Sequence, residues 1–403
     1  MVKAYKSVAQ ASVGRAAITR IPIRSDQASA HHSLRTKAYA LTTEAVARAF
    51  QTPQYLILFV SDQCWMKCAH CWFNEEWKEA ELTQPALTFD EYERVAQSMS
   101  RVTFLSITGG EAFHRADIAE LATMVCKSTR VGRYQIPTSG YRTDKILADT
   151  EKMLLANPNT PLRIDVSLDG PRDIHNEIRR IRDGYERAIE TIAALTKLKR
   201  KHAHFDVGVI TTISKSNQHV VAEMAALVET VHPAGEWMIN IARGASRDPA
   251  AIEVNPEAYR EAHLLLQARI ERGKYNGHSG HLAAKWLSAK NAARREIIYD
   301  IITGKREGGG CAAGAAAGVI HSDGEVRACE MLDDSMGNVR NFDYDLRRMW
   351  QSHGARALRD RIQTTRCQCT QECFLSTSML LSPDAWRRMT HARWTMGNSK
   401  GTS

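Results

Sequence analysis

No apolar run in the chain approaches the ~20 residues of a membrane span. No stretch carries the basic, apolar and small-residue blocks of a secretory signal. Both absences point to a cytoplasmic protein with no membrane partner. Aromatic residues are scarce, at 7%, and no stripe of them interleaves with basic residues. The net charge is +9, but its cations are scattered, as in Arg179-Arg180, Lys197 to Lys201 and Arg294-Arg295. Scatter of this kind describes solvated helix faces, so no nucleic-acid partner is expected. Acidic residues are absent from positions 1–25, where Lys3, Lys6, Arg15, Arg20 and Arg24 stand. That bias reads as a flexible basic arm rather than a transit peptide. At 403 residues the chain exceeds one small domain, and a barrel with an appendage is the natural division.

Cysteine carries most of the information. There are nine, in two groups, with Cys126 alone between them. A disulfide framework would need a secreted context, so reduced, metal-binding thiols fit better. Cys126 lies in the apolar run 121–126 and reads as a small core residue. The first group is Cys64, Cys68 and Cys71, spaced C-x3-C-x2-C directly after the strand-like run Tyr55 to Val60. It lacks a fourth thiol. Thiolates favour soft metals and iron–sulfur clusters. Three of them on a four-iron cluster would leave one iron open to a ligand. The competing reading is a zinc site completed by His70.

From residue 54 to about 245, strand-like and amphipathic segments alternate, with periods switching between two and about 3.6. Tyr55–Ser61, Val102–Thr108, Arg133–Thr138, Leu162–Leu168, Phe205–Ile213 and Glu236–Ile241 are the expected strands. The stretches 90–99, 117–127, 185–199 and 217–230 are expected helices. Repeated βα units imply α/β class, a parallel sheet and right-handed crossovers. The expectation is a partial (β/α)6 TIM-type barrel, with ligands at the C-terminal strand ends.

Those ends hold the candidate residues. Gly109-Gly110-Glu111 follows the second strand. Two glycines let backbone approach a ligand, and the carboxylate can accept from an ammonium. A turn with a solvated Glu would read the same. Thr138 ends the third strand before Ser139-Gly140. Ser167-Leu168-Asp169-Gly170 ends the fourth, with His175 and Arg179 beyond it. Turn capping is the plain reading of Ser167 and Asp169, and a surface charge that of Arg179. Ser216 or Asn217 reads as an N-cap. Arg243, after the sixth strand, is a candidate substrate contact or a rim salt bridge.

The second group is Cys311, Cys329, Cys367, Cys369 and Cys373. Gly308-Gly309-Gly310 breaks the preceding helical pattern. Asp323-Gly324 signals a two-residue hairpin turn between short strands. A hairpin with a cysteine at each end brings two thiols to one place. A structural zinc ribbon would also use such a hairpin.

The C-x3-C-x2-C loop, Gly-Gly-Glu and Ser-Leu-Asp-Gly with its His-x3-Arg run resemble the radical S-adenosylmethionine (SAM) superfamily. C-x12-G-x4-C and the Gly337-Asn338 segment resemble its SPASM and twitch extensions. The resemblance covers residues 54–380. It implies a SAM-binding 4Fe-4S cluster on Cys64, Cys68 and Cys71, and reductive cleavage of SAM to a 5′-deoxyadenosyl radical. It also implies a SAM site at Gly109, Gly110, Glu111, Thr138, Ser167, Asp169 and Arg179, with His70 as a wall of that site. Five cysteines suffice for one auxiliary 4Fe-4S cluster, on Cys311, Cys329, Cys373 and one of Cys367 or Cys369. Ser139 departs from the Thr-Asn-Gly that relatives often carry, which puts a side-chain contact there in doubt.

The expected division is a basic extension 1–50, a barrel 51–250, a helical linker 251–305, a small α+β twitch or SPASM-like domain 306–380 and a tail 381–403. The expected activity is hydrogen abstraction from an unactivated C–H of a small natural-product or sugar-type substrate, with a flavodoxin- or ferredoxin-type electron donor. The small-molecule preference rests on residues 1–50, which are too short and irregular for a leader-binding domain. A ribosomal-peptide modifier is the alternative, and a non-catalytic zinc protein a remote one.

Overall fold

A computed structural model describes residues 34–233, 235–273, 284–305, 310–332, 334–365 and 369–398. The basic residues Lys3 to Arg24, Gly308, Gly309 and Cys367 lie outside them. Six parallel strands form the barrel: β1 (Tyr55–Ser61), β2 (Phe104–Gly109), β3 (Arg133–Thr138), β4 (Leu162–Ser167), β5 (Phe205–Ile213) and β6 (Glu236–Ile241). They pair in chain order, as short right-handed βα crossovers dictate. β4 is buried at every residue, as expected for a parallel strand covered on both faces. Helices Thr143–Ala156 and Arg172–Arg179 also connect strands and were not among those expected.

The cysteine hairpin continues this sheet. β7 (Ala317–Ile320) runs parallel to β1, with Tyr55 opposite Ala317 and Leu58 opposite Ile320. β8 (Glu325–Arg327) and β9 (Ser335–Asn338) then add antiparallel. One apolar core runs through barrel and hairpin, from Leu56 to Phe374. The segment expected as a separate small domain therefore shares sheet and core with the barrel.

The described parts of both flanks are helical. Leu34–Phe50, expected as part of an extension, packs on the cysteine region: Tyr39 donates to Ser378 O at 3.3 Å, and Glu44 pairs with Arg359 at 3.0 Å. Pro383–Asn398, expected as a tail, packs on the helix Ala284–Ile302 through Ala293, Ile297, Ile301, Ala385 and Met389.

The N-terminal half of the barrel interior is polar. Strand alternation and register bring Gln135, Arg163, Asp165, Glu236 and Met238 together. Arg163 donates to Gln135 Oε1 at 2.9 Å and Asp165 Oδ2 at 3.2 Å, and pairs with Glu236. Gly208 makes room, since a Cβ there would lie 2.2 Å from Asp165 Oδ1. This paired network closes the barrel floor and leaves the C-terminal strand ends for chemistry.

Candidate active site

The chain leaves β1 at Ser61 and turns at once into the first cysteine loop. Gly110 N donates to Ser61 O and Glu111 N to Gln63 O, both at 2.8 Å. A Cβ on Gly109 would stand 2.1 Å from Ser61 O, and one on Gly110 2.4 Å from Gln63 O. The glycines, expected to admit a ligand, here admit the backbone of the cysteine loop. Burial pushes the Cys64 thiol up to about 11 and Cys71 up to about 12, and neighbouring Cys68 raises both. Among the described residues no three His, Cys, Asp or Glu side chains are grouped as for a single metal ion.

Glu111 is buried and hydrogen-bonded through both oxygens. Its Oε1 accepts from Thr138 Oγ1 at 2.9 Å and Phe113 N at 3.3 Å. Its Oε2 accepts from Ser139 N at 2.8 Å and Ser139 Oγ at 2.7 Å. Burial pushes its carboxyl above the usual range against these four bonds. Ser139, which departs from the relatives' pattern, makes a close hydroxyl contact with Glu111.

Asp169 and Arg179 form the second polar centre. Arg179 pairs with Asp169 Oδ2 at 2.6 Å and donates through Nη1 to Cys68 Sγ at 3.5 Å. It is neither a surface charge nor a free cation. Burial opposes the Asp169 charge, but Arg179, His70, His175 and the Thr212 N–H hold its carboxyl below the usual range. Asp169 N donates to His175 Nδ1 at 3.1 Å. Asn217 is no N-cap: its Nδ2 donates to Asp169 O at 2.8 Å and Thr212 O at 2.9 Å, tying the ends of β4 and β5. The helix it was expected to cap begins at Val221. Ser167 is buried at the end of β4. His70 Nδ1 is buried with no hydrogen-bond partner, and burial lowers its ring to about 4. Sequence reasoning gave Thr212 no role, read Asn217 only as an N-cap, and had the His-x3-Arg run as its one signal for His175.

Arg243 is engaged by the chain itself. Its Nη1 donates to Thr370 O at 2.8 Å and to Gln371 Oε1, and its Nη2 to Glu372 Oε2 at 2.6 Å. Of the two readings of Arg243, substrate contact and rim salt bridge, the structure shows the salt bridge. In the second cysteine group, burial with Cys369 and Cys311 nearby raises the Cys329 thiol well above its usual range. Burial, with Cys311 adding to it, takes Cys369 to about 12. Cys373 accepts from Tyr55 Oη at 3.0 Å, and burial with Glu330 nearby takes it to about 11. Tyr55, the first residue of β1, offered no sequence signal for this contact.

Residues 58–228 match the radical SAM superfamily, and residues 311–374 match SPASM, an iron–sulfur cluster-binding domain. The chain belongs to the radical SAM superfamily and carries a C-terminal SPASM domain. GTP 3′,8-cyclase of Vibrio parahaemolyticus serotype O3:K6 is 30% identical over 145 residues, covering 34% of this chain and 42% of that protein. The Haemophilus influenzae (strain PittEE) enzyme of the same name is 28% identical over 155 residues, covering 36% and 43%. The chain thus spans less than half the length of these curated relatives. Among solved structures, Streptococcus suis SuiB bound to SAM is similar at TM-score 0.50 and 14% identity, over 78% of this chain and 67% of that one. The protein anSMEcpe, bound to SAM and a Kp18Cys peptide, is similar at TM-score 0.54 and 13% identity, over 85% and 97%. At such identities the likeness shows the radical SAM partial barrel as a fold. The superfamily brings a SAM-binding 4Fe-4S cluster, and the SPASM domain auxiliary iron–sulfur binding. The donor set fits: three thiols share one loop, a guanidinium faces one of them, and His70 leaves a buried nitrogen open beside them.

No described helix is long and apolar enough to cross a membrane.

Proposed function

We propose that Cys64, Cys68 and Cys71 hold a 4Fe-4S cluster which, with SAM bound, supplies a 5′-deoxyadenosyl radical for hydrogen abstraction from an unactivated C–H. The observation that carries this reading is the junction of loop and strand ends. Gly110 and Glu111 are hydrogen-bonded to the cysteine loop, and Arg179 reaches Cys68. In this reading Glu111 anchors the SAM ammonium, with Thr138 and Ser139 orienting its carboxylate. Ser167 and Asp169 face the ribose, and His70 walls the adenine side. Arg179 stabilises the Cys68 thiolate by a charge-assisted bond and lies near the SAM carboxylate.

Cys311, Cys329, Cys373 and Cys369 are proposed to hold one auxiliary 4Fe-4S cluster. Cys369 is preferred over Cys367 because it lies near Cys311 and Cys329. The auxiliary centre accepts an electron from the substrate or shapes the substrate mouth. A flavodoxin- or ferredoxin-type protein is the proposed donor, and the division into extension, barrel, linker, SPASM region and tail is kept as a working scheme.

The substrate reading shifts to a peptide. The likeness to peptide-bound anSMEcpe spans 85% of this chain, whereas the likeness to the GTP cyclases stops at about a third. A small molecule stays as the second reading on the strength of those cyclases. Arrays of short peptides, and of sugars and nucleotides, separate the two by which one raises 5′-deoxyadenosine above background. The core reading is tested by replacing Cys64, Cys68 and Cys71 together with alanine. Dithionite-driven 5′-deoxyadenosine formation should vanish while the second group keeps its iron; continued formation would refute the assignment.

A further inference from the structure

The loop after β6 touches both cysteine groups. Toward the first, Arg247 N donates to Cys71 O at 3.0 Å and Asp248 N to Ala69 O at 2.8 Å. Asn74 Nδ2, three residues past Cys71, donates to Ala245 O at 3.0 Å. Arg247 pairs with Glu75. Toward the second, Arg243 grips Thr370, Gln371 and Glu372, the residues between Cys369 and Cys373. Gly244 sits between the two, in the left-handed region at φ +77°. A Cβ there would lie 3.0 Å from Trp72 Cβ and 3.6 Å from Met331 Cε. Trp72 follows Cys71, and Met331 stands two residues past Cys329.

We infer that residues 243–248 are a rigid tie that sets the separation and orientation of the two iron–sulfur centres, with Arg243 as its positioning residue. The inference rests on the two-cluster reading above. A planar guanidinium with three acceptors fixes a direction as well as a distance, which a point cation does not. Both Arg243 and Glu372 are buried, so the joint is shielded from screening by salt. At Gly244 a side chain would be strained by the left-handed backbone and crowded against Trp72. The tie touches neither SAM-site carboxylate, so its loss should change geometry between centres and not SAM binding itself.

The test uses the full chain, reconstituted anaerobically with iron and sulfide and reduced with dithionite. Spin–spin interaction between the clusters and the g-values of each are read by electron paramagnetic resonance, with iron content and SAM affinity beside them. Arg243→Met alone strands a buried Glu372 carboxylate, so the double variant Arg243→Met, Glu372→Leu is measured with it. Arg243→Lys and Gly244→Ala complete the set. Iron content and SAM affinity should match wild type throughout. The spin–spin interaction should weaken or broaden in the double variant and in Gly244→Ala, with partial rescue by lysine. A wild type with both clusters, whose interaction is unchanged in every variant, overturns the tie alone. A wild type that binds iron only at Cys64, Cys68 and Cys71 overturns the two-cluster reading and the tie with it.

Discussion

Replacing Glu111 by Gln keeps the shape of the side chain and removes its charge. The carboxylate offers about four acceptor positions: the Phe113 and Ser139 N–H groups hold two, and the Thr138 and Ser139 hydroxyls hold the others but can rotate away to admit an ammonium. In the variant Oε2 should survive as the carbonyl oxygen, because Ser139 N cannot turn to accept. The new amide group then replaces Oε1. It faces Thr138, whose hydroxyl can rotate, and Phe113 N, which cannot. The fold thus loses one long bond, about 1 kcal/mol. SAM loses more. A charge-assisted bond to its ammonium contributes roughly 1.5–3 kcal/mol, so Kd should rise about ten- to a hundredfold. Equilibrium dialysis of SAM against anaerobic protein measures this, and iron analysis shows the cluster intact. A pH series adds an independent check. Burial raises the Glu111 carboxyl, so it takes up its proton at a higher pH than an ordinary Glu. Wild-type affinity should therefore begin to fall early on the acid side, and Gln should abolish that limb. Wild-type affinity with normal iron in the variant would return Glu111 to a purely structural role.

Two further outcomes test the second cysteine group and its attachment to the barrel. A Cys311→Ala, Cys329→Ala variant should bind about four fewer irons, as for loss of one cubane. It should still cleave SAM, and one zinc per wild-type chain in place of those irons would favour a ribbon. Glu91 caps the helix Phe89–Ser98 and accepts from Arg340 Nε at 2.7 Å, which with Tyr344 and Thr88 holds its carboxyl down to about 2. Because the folded value lies below 4.5, this stabilisation is present above about 4.5 and lost as pH falls toward 2. Glu91→Gln should cost about 1 kcal/mol, after discounting for solvent at this surface, in urea unfolding at pH 7 and much less at pH 3. An equal loss at both pH values would show that the ion pair is not its source.

The sequence alone determined the six barrel strands, a hairpin around Asp323-Gly324 and the grouping of three thiols after β1; the hairpin loop has three residues, Ser322, Asp323 and Gly324, in place of the expected two. These features are local: strand period, turn residues and cysteine spacing are written within a few positions of each other. β3, β5 and β6 stand at their expected bounds, because each alternates buried with partly exposed residues and is closed by turn residues. The tertiary structure alone decided what closes over the site. Arg243 and Glu372 lie 129 residues apart, and neither carries a mark of the other. Tyr55 reads as the first residue of a strand until β7 pairs beside it and Cys373 comes within 3.0 Å of its hydroxyl. The contact of Ser139 with Glu111 joins two strand ends, which no local pattern in the sequence marks. Gly109 and Gly110 looked like a ligand cradle because the backbone they receive precedes them by more than forty residues. Local periodicity specifies which segments become strands; only packing specifies which polar atoms meet when the strand ends converge, since each buried donor must find its acceptor there.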